Sequence, residues 1–476
     1  MRVCLICEGS YPYVAGGVAA WVQMLCSSLL DVEFVIWSIA TTREEMSQYK
    51  YELPPNVVDV KTIYLGDDTF HSDSKTIHLA SGEVKTMRAL ITGRDERIDW
   101  RQTLEFIRKY HGRLEDILMG EDFYNICLDE YRKMNETDSF VEFLWNFRAM
   151  YFPFMDVLKG EMVDADIYHS LSTGYAGILG SLASYIMDRP FLLSEHGIYT
   201  REREEDIIRS DWVKGNFKEL WIDFFKKISL IAYQQADVVT SLFHVNQTLQ
   251  VELGCPKEKI QIIPNGVAVE DYEGLVSGNK LNREHFNIAT VLRVVPIKDV
   301  KTMLLAFEIV HEQMPDAYLS ILGGFDEDPE YYRECREMAA ALNLNNVEFL
   351  GQVNVKEYMP DIDLLLLSSI SEGQPLAVLE GMAAGIPFVC TNVGDCRSLL
   401  EGNDDDHLGR AGYIVPVMDS KAMADAILYL ARHPGKMRQM GETGKKRVEA
   451  YFQKRAFLEK YRELYQSLGE AHVWQE

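Results

Sequence analysis

The stretch Ser369–Pro387 limits the possible folds more than any other part of the chain. Before it, Asp363-Leu-Leu-Leu-Leu367 is a short apolar run that reads as a buried strand. Glu372, Gly373 and Pro375 then make a tight loop. Pro375 suits the first turn of a helix because it lacks an N–H that would be unpaired there anyway. Val378, Leu379, Met382 and Ala383 continue that helix, and Gly385 with Pro387 closes it. Glu372 thus lies on the loop and Glu380 about one turn into the helix. The unpaired N–H groups near Leu376 and Ala377 form an anion site. One carboxylate before such a site and one just inside it suit a sugar nucleotide. Carboxylates accept hydrogen bonds from hydroxyls, while the helix end takes phosphate. Alone, Glu380 would read as a solvated surface residue; the whole pattern does not.

With 476 residues the chain can build two or three domains with full cores. Its formal charge of −25 argues against nucleic acid or an anionic membrane as a general partner. Local basic groups must therefore meet any phosphate ligand. Met1-Arg-Val-Cys-Leu-Ile enters a strand directly, so no signal peptide is expected. Apolar stretches such as Tyr175–Ile186 fall short of the roughly 18 residues that span a bilayer. Eight scattered cysteines read as buried free thiols, and a cytoplasmic location is expected.

Strand–helix alternation organises the first half. Val3–Cys7 reads as a strand, followed by a loop with Gly16-Gly17 and a helix from Val18. Phe34–Ser38 and Val57–Leu65 are the next strands, the beginning of a doubly wound α/β domain. Glycines before a helix let a ligand approach the backbone, although this pair alone reads as a turn. It is not G-x-G-x-x-G, so a dinucleotide fingerprint is absent. Residues from about 67 to 160 carry helical periodicity and many aromatics, among them Phe123, Phe143, Trp145 and Tyr151. That length exceeds an ordinary α/β connection and predicts a helical insertion. Its aromatics either pack it onto the domain or dock an acceptor or a partner. Alternation resumes with Ile167–Ser170 and Phe191–Ser194. The latter delivers His196-Gly197 at a strand's C-terminal end, where α/β folds place ligands. Arg201 and Arg203 then begin a helix. Two further strands lead to Pro264-Asn265-Gly266-Val267.

A second alternation starts at Phe286–Leu292 and runs directly into Arg293 and Lys298. Two cations flanking a loop after a strand can embrace one diphosphate, the arginine as a fork and the lysine as a point charge. Taken alone, they read equally well as surface cations. Tyr318–Leu322 ends in Gly323-Gly324, and Val347–Leu350 leads to Gly351-Gln352-Val353. Pro387–Thr391 and Gly412–Pro416 are the last strands, and helices from Ser420 to Glu470 finish the chain. Asp164-Ala-Asp166 and Asp361-Ile-Asp363 spell an Asp-x-Asp metal motif, but both lead into strands and read as strand-entry residues.

Gly16-Gly17, His196-Gly197, Arg293 with Lys298, and Glu372 with Glu380 occur in this order. Together they resemble the marks of the retaining glycosyltransferases of family 4. The resemblance implies the α/β GT-B fold, with two Rossmann-like doubly wound domains facing a cleft. It implies an N-terminal, acceptor-side domain over 1–270 that holds the insertion, and a nucleotide-sugar domain over 271–450. A helix over 451–476 would cross back to the first domain. The implied catalytic set is Glu372, His196, Arg293 and Lys298. The implied donor-binding set is Gly16, Gly17, Arg293, Lys298, Val353, Glu372, Gly373, Leu376, Ala377 and Glu380, with Val353 near the base. Leu292 and Asp299 stand where the family usually has glycine, and Gly-Gly-Phe-Asp-Glu-Asp-Pro replaces its G-x-G-P. A UDP-sugar donor, no metal ion and no cofactor are implied. Glu195–Arg203, Cys7–Tyr13 and the insertion look most like the family members that build Pel-type exopolysaccharide. That likeness implies transfer of a hexose or N-acetylhexosamine to a growing glycan acceptor. The expected partners are inner-membrane polysaccharide synthase subunits, with no nucleic acid. Two alternatives stay open: a catalytically silent nucleotide-sugar-binding scaffold, and an epimerase of the same fold.

Overall fold

The structure is a computed structural model that describes residues 1–43, 48–65, 77–92, 99–110, 114–134, 139–158, 161–275, 285–403 and 406–473. It divides into two compact units, Met1–Ile262 with Tyr461–Glu476, and Ile263–Lys460.

The first unit is built on seven strands: β1 Arg2–Glu8, β2 Glu33–Ala40, β3 Val57–Tyr64, β4 Ile167–Ser170, β5 Phe191–Glu195, β6 Val238–Ser241 and β7 Ile260–Ile262. They pair in parallel in the order β3-β2-β1-β4-β5-β6-β7. Helices cover both faces, which is why β1 and β5 are apolar and buried almost without alternation. Winding reverses between β1 and β4, and the crevice beyond the strand ends at such a reversal is where these sheets bind ligands.

Among the described residues, five helices stand between β3 and β4: Ser81–Thr92, Trp100–Lys109, Leu114–Leu118, Glu121–Met134 and Phe140–Val157. The expected limits of this insertion, 67 and 160, fall outside the described residues. Phe123, Phe143, Phe147, Tyr151 and Phe154 are buried in one core with Phe217, Phe224 and Phe225 of the helix Gly215–Gln235. Most of the insertion's aromatics therefore pack it onto the domain. Tyr124 and Trp145 stay exposed.

The second unit has six parallel strands: β8 Phe286–Val291, β9 Ala317–Leu322, β10 Val347–Gly351, β11 Leu364–Leu367, β12 Phe388–Thr391 and β13 Gly412–Val415. Their order is β10-β9-β8-β11-β12-β13, so the reversal lies between β8 and β11. The first ten residues after the unit boundary belong to this unit because Val267, Val269 and Tyr272 pack into its core. Val267 also forms a parallel bridge with Gln453. The chain therefore changes unit at 262/263 rather than at 270/271.

The last helix, Lys454–Val473, joins the first unit from Tyr461 onward. Tyr465 Oη lies 2.8 Å from His169 Nδ1 on β4, and Tyr461 Oη lies 3.1 Å from Ser194 Oγ on β5. Buried hydroxyls need such partners, and these two tyrosines find theirs in the sheet. Tyr451 is exposed.

All eight cysteines are buried and free. Both Asp-x-Asp pairs sit at the entry ends of strands, opposite the ligand edge. Asp166 accepts the Arg2 N–H at 2.7 Å and Asp363 accepts the Asn287 N–H at 2.9 Å. Among the described residues no helix is long and apolar enough to cross a membrane.

Candidate functional site

In the second unit, β8 and β11 are neighbours, so the loops that follow them meet at the reversal of the sheet. Two bonds stitch these loops together. Ile370 N donates to Ile297 O at 2.8 Å, and Ser368 Oγ donates to Lys298 O at 2.8 Å. Lys298 and Glu372 come together for this reason, although 74 residues separate them. Lys298 Nζ lies 2.5 Å from Glu372 Oε1, and Ser369 Oγ donates to the same oxygen at 2.5 Å. The pair is largely withdrawn from water, with side chains 17% and 11% exposed. In such a setting neither charge can be removed without stranding the other.

Arg293 follows β8 and pairs with Glu327. Both of these side chains are about half exposed, so the contact is worth little and is readily exchanged for another anion. Glu327 lies in the acidic run Gly323-Gly-Phe-Asp-Glu-Asp-Pro that follows β9. Gly323 takes a φ of +146°, and a Cβ there would stand 1.8 Å from Leu292 O. Only glycine allows the β8 and β9 loops to approach so closely. Asp299 takes a left-handed φ of 46°. Aspartate tolerates that conformation. Its Oδ1 also accepts the Thr302 N–H at 3.2 Å and so caps the helix Val300–Gln313.

The loop from Glu372 ends in the helix Leu376–Ala383, with Pro375 as its cap residue rather than inside its first turn. Pro375 has a ψ of 117°, which is outside the helical region, and its side chain supplies no capping bond. Leu376 and Ala377 are then the first two helical residues, whose N–H groups have no partner further back in the helix. Gly385 closes the helix with a φ of +77°.

Glu380 is not a solvated surface residue. Burial raises its pKa, opposed by a hydrogen bond from the Tyr272 hydroxyl and by the charge of Lys356. Lys356 lies over the Tyr272 ring, 4.9 Å from its centre. Nothing in the sequence signals Tyr272, which lies far back along the chain, before β8. Val353 lies in the loop just past β10, half-buried against the unit's core.

The first unit carries the remaining expected residues. His196 follows β5, with its ring edge-on to Trp21 at 4.7 Å between centres. Burial lowers its pKa to about 4, so the imidazole is neutral near pH 7. Its buried Nε2 has no hydrogen-bond partner among the described residues. Glu195 fixes the turn that carries His196. It accepts Tyr199 N at 3.1 Å, Tyr233 Oη at 2.6 Å and Gln250 Nε2 at 3.0 Å. Gly16 and Gly17 precede and open the helix Gly17–Ser28. Gly16 is extended, and a Cβ on either residue would meet nothing within 4 Å. The fold itself therefore does not demand glycine at these positions, whereas close approach of a ligand to the backbone would.

Sequence reasoning missed Ser369, Tyr272, Glu195 and Trp21. Ser369 could have been found from its place three residues before Glu372, within side-chain reach.

Residues 1–258, more than half of the chain, match the family model described as Domain of unknown function (DUF3492). Residues 276–447 match the model described as Glycosyl transferases group 1. The chain is 28% identical over 243 residues to the N-acetyl-alpha-D-glucosaminyl L-malate synthase of Bacillus anthracis, covering 49% of this chain and 60% of that protein. It is 23% identical over 308 residues to the capsular polysaccharide biosynthesis glycosyltransferase CapM of Staphylococcus aureus, covering 62% and 74%. Its fold is similar to that of Anabaena HepE, solved in complex with UDP, with a TM-score of 0.61 at 15% identity over 98% of this chain and 100% of that one. Two Rossmann-like units, each wound about a parallel sheet, place the fold in the GT-B class. By these matches the chain belongs to the DUF3492 family and carries, after that region, a group 1 glycosyl transferase domain.

Proposed function

We propose that this protein is a retaining glycosyltransferase that moves a hexose or N-acetylhexosamine from a UDP-sugar to a growing exopolysaccharide. The observation that carries the reading is the Lys298–Glu372 pair at the reversal of the second sheet, with Arg293 on the same loop after β8 as Lys298 and the helix Leu376–Ala383 starting just after Glu372. A diphosphate and a sugar are the two halves of a donor, and this cluster offers a group for each. Lys298, Arg293 and the helix N–H groups suit the phosphates, while Glu372 suits the sugar hydroxyls. Glu380 suits the ribose.

In the reaction, the bond between the anomeric carbon and the diphosphate oxygen breaks, and its electron pair leaves with UDP. The acceptor hydroxyl attacks from the same face, and its proton passes to the departing phosphate oxygen. Negative charge develops on that phosphate, and fixed cations stabilise it most in a water-poor site. Neutral His196 can exchange a hydrogen bond with a sugar hydroxyl without bringing charge. Neither glutamate acts as a nucleophile in this scheme. Because Arg293 and Lys298 already supply positive potential, we expect turnover without a divalent metal.

HepE is a fold neighbour with bound UDP, and CapM is a relative named for capsular polysaccharide biosynthesis. The first supports a nucleotide-sugar donor and the second a polysaccharide product. The likeness of Cys7–Tyr13 and Glu195–Arg203 to the Pel exopolysaccharide glycosyltransferase supports a Pel-like acceptor. It also supports a cytoplasmic site of action beside inner-membrane synthase subunits. The test is UDP release from a panel of UDP-sugars, with and without EDTA. Release from one sugar nucleotide that survives EDTA is the expected result. No release from any of them overturns the enzyme reading, and activity lost to EDTA and restored by Mg²⁺ or Mn²⁺ overturns metal independence.

A further inference from the structure

The loop that presents Glu372 is held from two sides by one buried side chain. Gln374 Nε2 donates to Asp395 Oδ2 at 2.6 Å, and Gln374 Oε1 accepts the Asn265 N–H at 2.6 Å. Asn265 Nδ2 also donates to the Gln374 carbonyl at 3.3 Å. All three residues are nearly sealed from water: Gln374 is 5% exposed, Asn265 4% and Asp395 3%. An amide is the side chain this position needs, since one end must donate to a carboxylate and the other must accept from a backbone N–H. A hydrogen bond from a neutral amide to a buried carboxylate is among the stronger kinds.

The loop after β12 reinforces the hold. Asp395 N donates to Gly373 O at 2.9 Å. Gly394 has a φ of +50°, and a Cβ there would stand 2.1 Å from Gly373 O and 2.4 Å from Glu372 O. The backbone of Gly394 therefore presses directly on the peptide units of Glu372 and Gly373. On the other side, Val267, two residues past Asn265, accepts Lys454 N and donates to Phe452 O, each at 2.9 Å. The segment that carries Asn265 is thus itself bonded to the chain at 452–454.

We infer that Gln374 is a positioning residue. By bridging Asn265 and Asp395 it sets the loop on which Glu372 meets the donor and from which the helix Leu376–Ala383 begins. This rests on the donor-site reading of Glu372. A misplacement of about 1 Å can cost about a hundredfold in rate, so a latch of this kind acts mainly on kcat.

The test uses four full-length variants: Gln374→Ala, Gln374→Glu, Asp395→Asn, and Gln374→Glu with Asp395→Asn together. Gln374→Glu sets two carboxylates face to face in a buried site, where their repulsion raises the pKa of one of them. The double variant restores a donor opposite an acceptor, because the new amide at position 395 donates to the new carboxylate at position 374. That carboxylate still accepts the Asn265 N–H. Gln374→Ala should lower kcat for UDP-sugar turnover by about tenfold to a hundredfold, with the donor KM changed by less than about threefold. Gln374→Glu should lose activity at neutral pH and regain it as the pH falls, because a proton shared by the two carboxylates rebuilds the bond. The double variant should recover more than the two single changes predict, the mark of direct coupling. Backbone hydrogen exchange gives a readout that needs no activity. Residues 372–380 should exchange faster in Gln374→Ala while β5 is unchanged, and the double variant should restore protection.

Unchanged exchange in 372–380 overturns the latch. Local loosening with an unchanged kcat overturns the positioning role, and so does a double variant no better than its singles. If the wild type releases no UDP from any sugar nucleotide, the functional reading and the positioning role fall together, while the exchange arm still decides the latch.

Discussion

Beyond β8 and β11 the C-terminal unit sets charge against charge, Lys298 on Glu372, whereas beyond β5 the N-terminal unit holds His196 neutral, its Nε2 without a partner among the described residues. The two strand ends are alike in topology and opposite in electrostatics. The lysine and glutamate hold each other at 2.5 Å in a partly sealed site, so a ligand entering there must replace a charge contact with a charge contact. Around His196 burial disfavours the charged form. Its neighbour on β4, His169, is lowered further, to about 3, by burial and by the proximity of His196. A diphosphate suits the first setting and neutral hydroxyls suit the second.

Removing a cation should break this contrast most. Lys298→Ala should lower kcat by about a hundredfold or more, equivalent to about 2–4 kcal/mol of transition-state stabilisation. Arg293→Ala should cost less than Lys298→Ala, since Arg293 is about half exposed and Lys298 is mostly sealed. Steady-state UDP release checks both. A Lys298→Ala enzyme no worse than one lacking the surface lysine Lys301 would remove the charge-centred reading of the second unit.

The two glutamates sharpen the comparison within that unit. Glu372→Ala should lower kcat about tenfold or more with little change in donor KM, as for a contact that strengthens in the transition state. Glu380→Ala should mainly raise the donor KM, by about tenfold, as for uniform binding of ribose. Equal, small effects on both constants would merge the two roles.

A smaller effect is expected on the neutral side. His196→Ala should lower kcat by about tenfold, as for loss of one or two neutral hydrogen bonds. Because its pKa lies at about 4, the wild-type rate should show no ionisation from His196 between about pH 5.5 and 8. A rate limb near pH 6.5 that disappears in His196→Ala would mean that the ring titrates normally, and the electrostatic contrast between the units would fail.

A separate effect is expected on stability. His169 and His196 have folded pKa values of about 3 and about 4, both below the ordinary 6.5. Above pH 6.5 both are neutral in the folded and unfolded chain and cost nothing. As the pH falls from 6.5 toward 4 and then 3, the unfolded chain binds protons that the folded one refuses, so stability declines. The slope is at most about 1.4 kcal/mol per pH unit for each histidine. Thermal melts of the full chain from about pH 7.5 to 4.5 should show this fall. His169→Gln, which keeps polar atoms for Tyr465 and Ser194, should flatten it. An equal slope in that variant would assign the decline to other groups.

The thirteen strands among the described residues, the glycine-closed helix after Glu372 and the placement of Gly16-Gly17, His196, Arg293 and Lys298 at strand ends could be read from the sequence. The reason is physical. Parallel strands buried on both faces need short unbroken apolar runs such as Leu364–Leu367, and those runs end where polar loops begin. Local chemistry is written locally, as in Gly385 after the helix. The tertiary structure alone decided which loops meet. Strand order, with β8 beside β11, brings Lys298 to Glu372, and no local signal records that order. The same holds for Tyr272 on Glu380, for Tyr461 and Tyr465 in the first sheet, and for Gln374 between Asn265 and Asp395. Each of these is a buried polar group whose partner lies far along the chain. A buried polar atom must find a partner, but which partner depends on the packing of whole elements.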